Sequence, residues 1–192
     1  MVTAEQYVEG HWRKKKIWTH LTAPKHQARF KACVDLLVGQ DFADIGCGFG
    51  HSTAIMREMR GGRWTGVDFY PGVVENVKEY FPDLASVGLA KVSDLPFLPE
   101  FDSVVCSEVI EHVENDQELV DGLLAITRHN LVITTPLRPV NDPGHLRVYA
   151  EESLAALFKG YTVEISTLVG LFFVVVIRDV KTPYRYTGAD TK

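Results

Sequence analysis

The stretch SEVIEHVEN, residues 107–115, sets Glu108, Glu111 and His112 within five positions. If a helix begins here, spacings of three and four stack all three side chains on one face. Two carboxylates and an imidazole so arranged can hold a divalent metal or form an acid/base pair. They can also be no more than an acidic first turn favoured by the helix dipole.

A second set of chemistry-bearing residues precedes this one. DFADIGCGFG, residues 41–50, runs into three alternating glycines, Gly46, Gly48 and Gly50, with Asp44 two residues before the first. Glycines at such a turn leave no side chains where the backbone bends, so a ligand can approach the main chain closely. The GxGxG pattern differs from the dinucleotide fingerprint GxGxxG. A carboxylate at Asp44 would repel a pyrophosphate but attract an ammonium or a sulfonium. Asp68 follows at the end of the next apolar run, where a carboxylate can accept from both hydroxyls of a ribose. Phe69 and Tyr70 beside it can pack on a base. Asp94, with Leu95 and Pro96, ends the third run and can accept from an exocyclic amine. Each acid alone also reads as a turn former or a cap. Acids at three successive strand ends after a glycine turn read together as a ligand site.

Positioning these residues requires strands that end where they stand. Phe30, Cys33, Val34, Leu37 and Val38 follow helical spacing, so a helix is expected from about Pro24 to Val38, with Pro24 near its start. The strand DFADI and the glycine turn follow, then a helix near Ser52–Met59 and the strand RWTGVD. A helix opened by Pro71 runs to Tyr80. SVGLAKV and FDSVVC are strand candidates flanking the turn-rich SDLPFLPE. Asn115 and Glu118 form a capping box for a helix to about Thr127. NLVITT is a buried strand, followed by the loop PLRPVNDPGH, the helix AEESLAALF, and two strands, YTVEISTLV and LFFVVVIRDV, meeting near Gly170. Strands alternating with helices imply an α/β, doubly wound, mostly parallel sheet with its ligand at the strands' carboxyl ends. The last two strands are too close for a helical crossover, so they form an antiparallel hairpin or are separated by another strand.

The 192 residues fit one domain, and 46% hydrophobic content with 23% charged residues suits a soluble globule. LFFVVVI is too short to span a bilayer, and no apolar region follows the basic N-terminus as a signal peptide would require. Three scattered cysteines, Cys33, Cys47 and Cys106, suit a reducing compartment, so a cytoplasmic protein is expected. Residues 1–40 hold seven Lys and Arg against three Asp and Glu. The basic run Arg13–Lys16 can touch an anion, though such runs are more often a solvated face.

ADIGCGFG, TGVDFYP, VSDLPF, FDSVVCSEVIEHV and LVITTP, in that order and spacing, resemble the class I S-adenosylmethionine-dependent methyltransferases over residues 25–178. The resemblance implies a seven-stranded sheet with a reversed last strand. It implies that Gly46, Cys47, Gly48 and Gly50 surround the methionine part of the cofactor with Ser107, and that Asp44 lies near its amino group. Asp68 and Phe69 would serve the ribose and base, and Asp94 with Leu95 the adenine. Residues 24–180 would form the domain, residues 1–23 a cap carrying Trp12, Trp18 and His20 across the cofactor mouth, and residues 181–192 a tail.

EVIEHV further resembles two subgroups, the ubiquinone-biosynthesis O-methyltransferases and the small-RNA 3′-terminal 2′-O-methyltransferases. Both associate this segment with a divalent metal, which would give Glu108, Glu111 and His112 as ligands, with His145 as a fourth. Ordinary members of the family carry a similar segment, and TTPLRPVNDPGHLRVY departs from the RNA group's pattern after its proline and its histidine. Residues 108–121 also hold six acidic and no basic side chains, which would repel a phosphate backbone. The expectation taken forward is therefore a metal-free enzyme that methylates an oxygen of a small molecule. His112, His145 and Glu108 are its catalytic candidates, and a second subunit can complete an open acceptor pocket as a homodimer. A metal-assisted RNA 2′-O-methyltransferase and a non-catalytic cofactor-binding module are the alternatives.

Overall fold

The computed structural model describes residues 21–70 and 72–182. Trp12, Trp18, His20 and the basic run lie outside them. Helix α1 (Pro24–Asp35) leads into strand β1 (Asp41–Ile45), then α2 (His51–Arg60), β2 (Arg63–Asp68), α3 (Val73–Tyr80) and β3 (Ala85–Gly88). A 3₁₀ turn (Val92–Phe97) precedes β4 (Phe101–Ser107), and a second (Ile110–His112) follows it. The chain closes with α4 (Asp116–Ile126), β5 (Thr127–Pro136), α5 (Glu151–Ala156), β6 (Val163–Leu168) and β7 (Phe172–Ile177).

The seven strands form one sheet in the order β3-β2-β1-β4-β5-β7-β6. The first five are mutually parallel, and β7 runs antiparallel to both β5 and β6. The expected doubly wound sheet is therefore present, and its last two strands form a hairpin. The period of two in the strands divides the core into two layers. Ala43, Ile45, Val104, Cys106, Leu131 and Ile133 pack on one face with Leu119 and Leu123 of α4 and Leu154 of α5. Phe42, Val105 and Val132 face the other way, against Phe30 and Cys33 of α1, Met56 of α2 and Val73 of α3. The order reverses beside β1, whose neighbours are β2 and β4, so the carboxyl ends of β1 and β4 open onto one crevice.

Two local expectations are revised. SVGLAKV yields only the short edge strand β3, because the chain turns at Leu89 to enter the 3₁₀ turn. The segment after Ser107 does not begin an α-helix. Glu108 takes a left-handed φ of 59°, which a helix cannot continue, and only three residues of 3₁₀ turn follow. Helix α4 starts later, and the side chain of its cap Asn115 accepts from the Glu118 amide at 3.1 Å.

Candidate active site

The glycine turn is built by its hydrogen bonds. The amides of Gly46 and Cys47 both donate to Val67 O, at 2.7 and 3.1 Å, tying the turn to β2. Gly48 donates to Asp68 Oδ2 at 2.8 Å, and Tyr70 N to Asp68 Oδ1 at 2.9 Å. Asp68 thus holds the loop through both of its oxygens, and a carboxylate has further lone pairs to offer. Gly48 has a φ of 55°, and a Cβ built there would meet nothing within 4 Å. The space over its backbone is open. At Gly46 a Cβ would instead collide with Val109, so that glycine serves the close approach of the turn to the segment after β4.

Beneath the turn Asp44 is buried, accepting from Thr53 Oγ1 at 2.6 Å and Ser52 Oγ at 3.2 Å. Burial pushes its carboxyl up to about 6, against the two hydroxyl bonds that favour its charge. Asp68 is also raised by burial, opposed by the backbone amides of Gly48, Tyr70 and Phe69. Two carboxylates thus stand at adjacent strand ends, partly deprived of water, with the Arg29 charge only a minor opposing influence on Asp44. Burial likewise raises the thiols of Cys47 and Cys106, which makes them poor nucleophiles.

A pocket opens over this turn. Gly46, Cys47, Gly48, Ser107 and Glu108 line it, together with Leu21, Arg29, Phe30, Phe49, His51 and Ser52. It encloses about 90 Å³, well short of the several hundred Å³ typical of a small-molecule site. A nucleoside-sized ligand would have to extend out of it. Phe69, next to Asp68, is half-buried and packs on the core. Asp94 caps its own turn, accepting from Lys91 N at 3.2 Å. Leu95 is fully buried, and a Cβ on Gly122 of α4 would reach it at 2.9 Å, so its side chain belongs to the core.

Glu108 is the only one of the three catalytic candidates that borders this pocket. Its Oε2 pairs with Arg29 Nη1 at 3.2 Å, and its Oε1 accepts from Thr134 Oγ1 at 3.1 Å. Arg29 is itself buried, with its guanidinium 5.0 Å from the centre of the Phe172 ring. Burial raises the Glu108 carboxyl, and Arg29 opposes that rise.

Glu111, His112 and His145 form a separate cluster. Glu111 is completely buried, and Thr135 Oγ1 donates to its Oε2 at 3.1 Å. Burial and then the Glu108 charge push its carboxyl up to about 8. His112 Nδ1 donates to Gly144 O at 2.9 Å, and its ring lies edge-on to His145 with centroids 4.6 Å apart. His145 Nε2 is 4.0 Å from Glu111 Oε1. The loop after β5 carries His145 here because it is stapled to the segment after β4. Leu146 N donates to Glu111 O at 2.9 Å, Arg147 Nη2 to Glu114 O at 2.8 Å, and Tyr149 Oη to Asp116 Oδ2 at 2.9 Å.

The three ligand atoms of this cluster lie within 4.8 Å of one another, and Glu111 Oε1 is buried with no hydrogen-bond partner among the described residues. Two imidazoles and a carboxylate suit a divalent transition cation. The structure does not bring Glu108 into that set, since Arg29 and Thr134 take its oxygens. Nor does an acidic first helical turn account for Glu111, which is buried in a 3₁₀ turn away from α4.

Residues 43–130 match the family model described as a methyltransferase domain. That match spans just under half of the chain. No curated protein sequence matches it. Among solved structures it is similar to the N-methyltransferase NodS from Bradyrhizobium japonicum WM9 in complex with S-adenosyl-L-homocysteine. That match has a TM-score of 0.70 at 15% identity, covering 91% of this chain and 97% of that one. A SAM-dependent methyltransferase from Archaeoglobus fulgidus matches with a TM-score of 0.67 at 17% identity, covering 92% and 100%. Magnesium protoporphyrin IX methyltransferase from Synechocystis PCC 6803, with bound SAM, matches with a TM-score of 0.62 at 16% identity, covering 88% and 90%. Within this site, sequence reasoning missed Arg29, Thr134 and Thr135. Arg29 carried a signal, since it stands beside Phe30 on the apolar side of α1, where a cation needs a buried partner. No helix of the described residues is long and apolar enough to cross a membrane.

Proposed function

We propose that the pocket binds S-adenosylmethionine and that the protein methylates an oxygen of a small-molecule acceptor. The observation that carries this reading is the open space over Gly48, where a ligand can lie on bare backbone between Asp44 and Asp68. When bound, the cofactor supplies a methyl group on a positively charged sulfur, an electrophile that needs no further activation. Asp44 draws the cofactor's ammonium toward Gly46 and Cys47, directly or through water. Asp68 offers its remaining lone pairs to the ribose hydroxyls while holding the loop still. Phe69 flanks the path of the base, and Asp94 accepts from the adenine amine.

What remains for the protein is to orient the acceptor and take its proton. Glu108 borders the pocket and is assigned that proton. His112 and His145 lie one turn farther on, with rings held by Gly144 and against Glu111, and can take a proton from an acceptor that reaches past Glu108. Glu111, His112 and His145 would also hold a divalent cation, which would orient acceptor oxygens and lower the pKa of one. No step above depends on it. The six acids of residues 108–121 favour a small acceptor over a nucleic acid.

The test is label transfer from methyl-labelled S-adenosylmethionine to a panel of catechol, phenol and hydroxy acids, primary amines and a short RNA. Label in the hydroxyl compounds is expected. Label confined to amines or RNA would overturn the acceptor assignment.

A further inference from the structure

We propose that the acceptor's proton leaves the pocket through two hydroxyls, from Ser107 to Thr134, and ends on Glu108, so that Thr134 is a positioning residue for the transfer. The proposal rests on the methyl-transfer reading above and adds a path to it. Ser107 borders the pocket, and its Oγ lies 2.8 Å from Thr134 Oγ1, a pair in which either atom can donate. The next bond decides the direction. Thr134 Oγ1 donates to Glu108 Oε1 at 3.1 Å, and a hydroxyl has only one proton to give. Ser107 must therefore donate to Thr134, which leaves its own lone pairs to accept a proton from the pocket.

The surroundings fix this polarity. Thr134 is fully buried, so no water competes for its hydroxyl. Arg29 holds the other oxygen of Glu108 at 3.2 Å, and Lys25 of the same helix adds a weaker favourable charge. Glu111, on the segment of Glu108 itself, is in turn pushed up by burial and by the Glu108 charge. The carboxylate is thus kept as an anion by α1 while burial makes it more willing to take a proton. The left-handed backbone of Glu108 directs its side chain toward β5 and α1, and a non-glycine residue held there is strained at a site where the strain has a use.

The step balances. As the acceptor O–C bond forms and the cofactor S–C bond breaks, the acceptor's proton passes to Ser107 Oγ. The Ser107 proton passes to Thr134 Oγ1, and the Thr134 proton to Glu108 Oε1. One sulfonium and one carboxylate are consumed together, giving a neutral thioether and a neutral acid. The Glu108 side chain is 20% exposed, so the proton can then return to water.

Thr134→Val removes the relay hydroxyl at nearly constant volume, Thr134→Ser restores it, and Ser107 itself is left in place in both. With catechol, or whichever hydroxyl compound of the panel takes most label, Thr134→Val should lower kcat by about 100-fold or more. Its affinity for S-adenosylhomocysteine should stay within about threefold of the wild type. The rise of kcat with pH should vanish together with the solvent deuterium isotope effect, and Thr134→Ser should recover both. A Thr134→Val protein that binds S-adenosylhomocysteine and turns over within about threefold of the wild type overturns the relay alone. So does a Thr134→Ser protein as slow as the valine variant, because the loss is then one of packing. A wild type that does not bind S-adenosylhomocysteine or labels no hydroxyl compound overturns the methyl-transfer reading and the relay with it.

Discussion

Replacing Asp44 with asparagine should stabilise the unliganded protein while weakening the cofactor, and the structure sets the size of the effect. Asp44 is buried, and its carboxyl is raised from 3.8 to about 6, chiefly by loss of water. That interval corresponds to about 3 kcal/mol of differential interaction between its two protonation states. Between those values the folded state binds the extra proton, so the stability from the protonated acid is fully present below 3.8 and is lost as pH rises through about 6. Asparagine cannot ionise, and its carbonyl oxygen can still accept from Thr53. Its amide brings new donors that need partners, so a net gain of about 1–3 kcal/mol at pH 7 is expected, with little difference at pH 4. Urea unfolding of both proteins at the two pH values reads this directly, because the comparison cancels every other titrating group. The same substitution should cost about 1–3 kcal/mol in S-adenosylhomocysteine affinity, the range of a hydrogen bond to a charged group. A variant no more stable than the wild type at pH 7, or more stable by the same amount at both pH values, would refute the reasoning.

Gly48→Val should fold yet lose S-adenosylhomocysteine binding by calorimetry, because its branches fill the open space and its backbone must keep a φ of 55°; unchanged affinity would remove the loop from the site. Incubation with EDTA should leave methyl transfer unchanged. Loss of turnover restored by zinc or manganese would show that Glu111, His112 and His145 work through a metal. Tyr149→Phe should cost about 1 kcal/mol in denaturant unfolding, since it deletes the 2.9 Å bond to Asp116 that staples the His145 loop. A neutral change would mean that the Arg147 contacts hold the loop without it.

The sheet was legible in the sequence because its strands keep their period and are punctuated by glycine and acid. β1 and β2 have the bounds that the segments DFADI and RWTGVD set. The site was only partly legible. Glu108, Glu111 and His112 are near in sequence, but the positive φ of Glu108 turns its side chain toward Arg29 and Thr134 instead of its neighbours. Arg29 meets Glu108 across 79 positions, a partnership made by the packing of α1 on the sheet and by no local spacing. The burial of Glu111 is likewise hidden, because a loop that begins after β5 closes over it through Leu146. Three and four residue spacing predicts a helical face only where the backbone remains helical, and here it does not.

The central claim, that the crevice over Gly48 holds S-adenosylmethionine, is tested most directly by isothermal titration calorimetry of S-adenosylhomocysteine, with NAD as the competitor of different chemistry. S-adenosylhomocysteine is expected to bind one per chain in the micromolar range, more tightly above pH 6 than below it as Asp44 ionises, with no heat from NAD. Tighter binding of NAD than of S-adenosylhomocysteine would contradict the account.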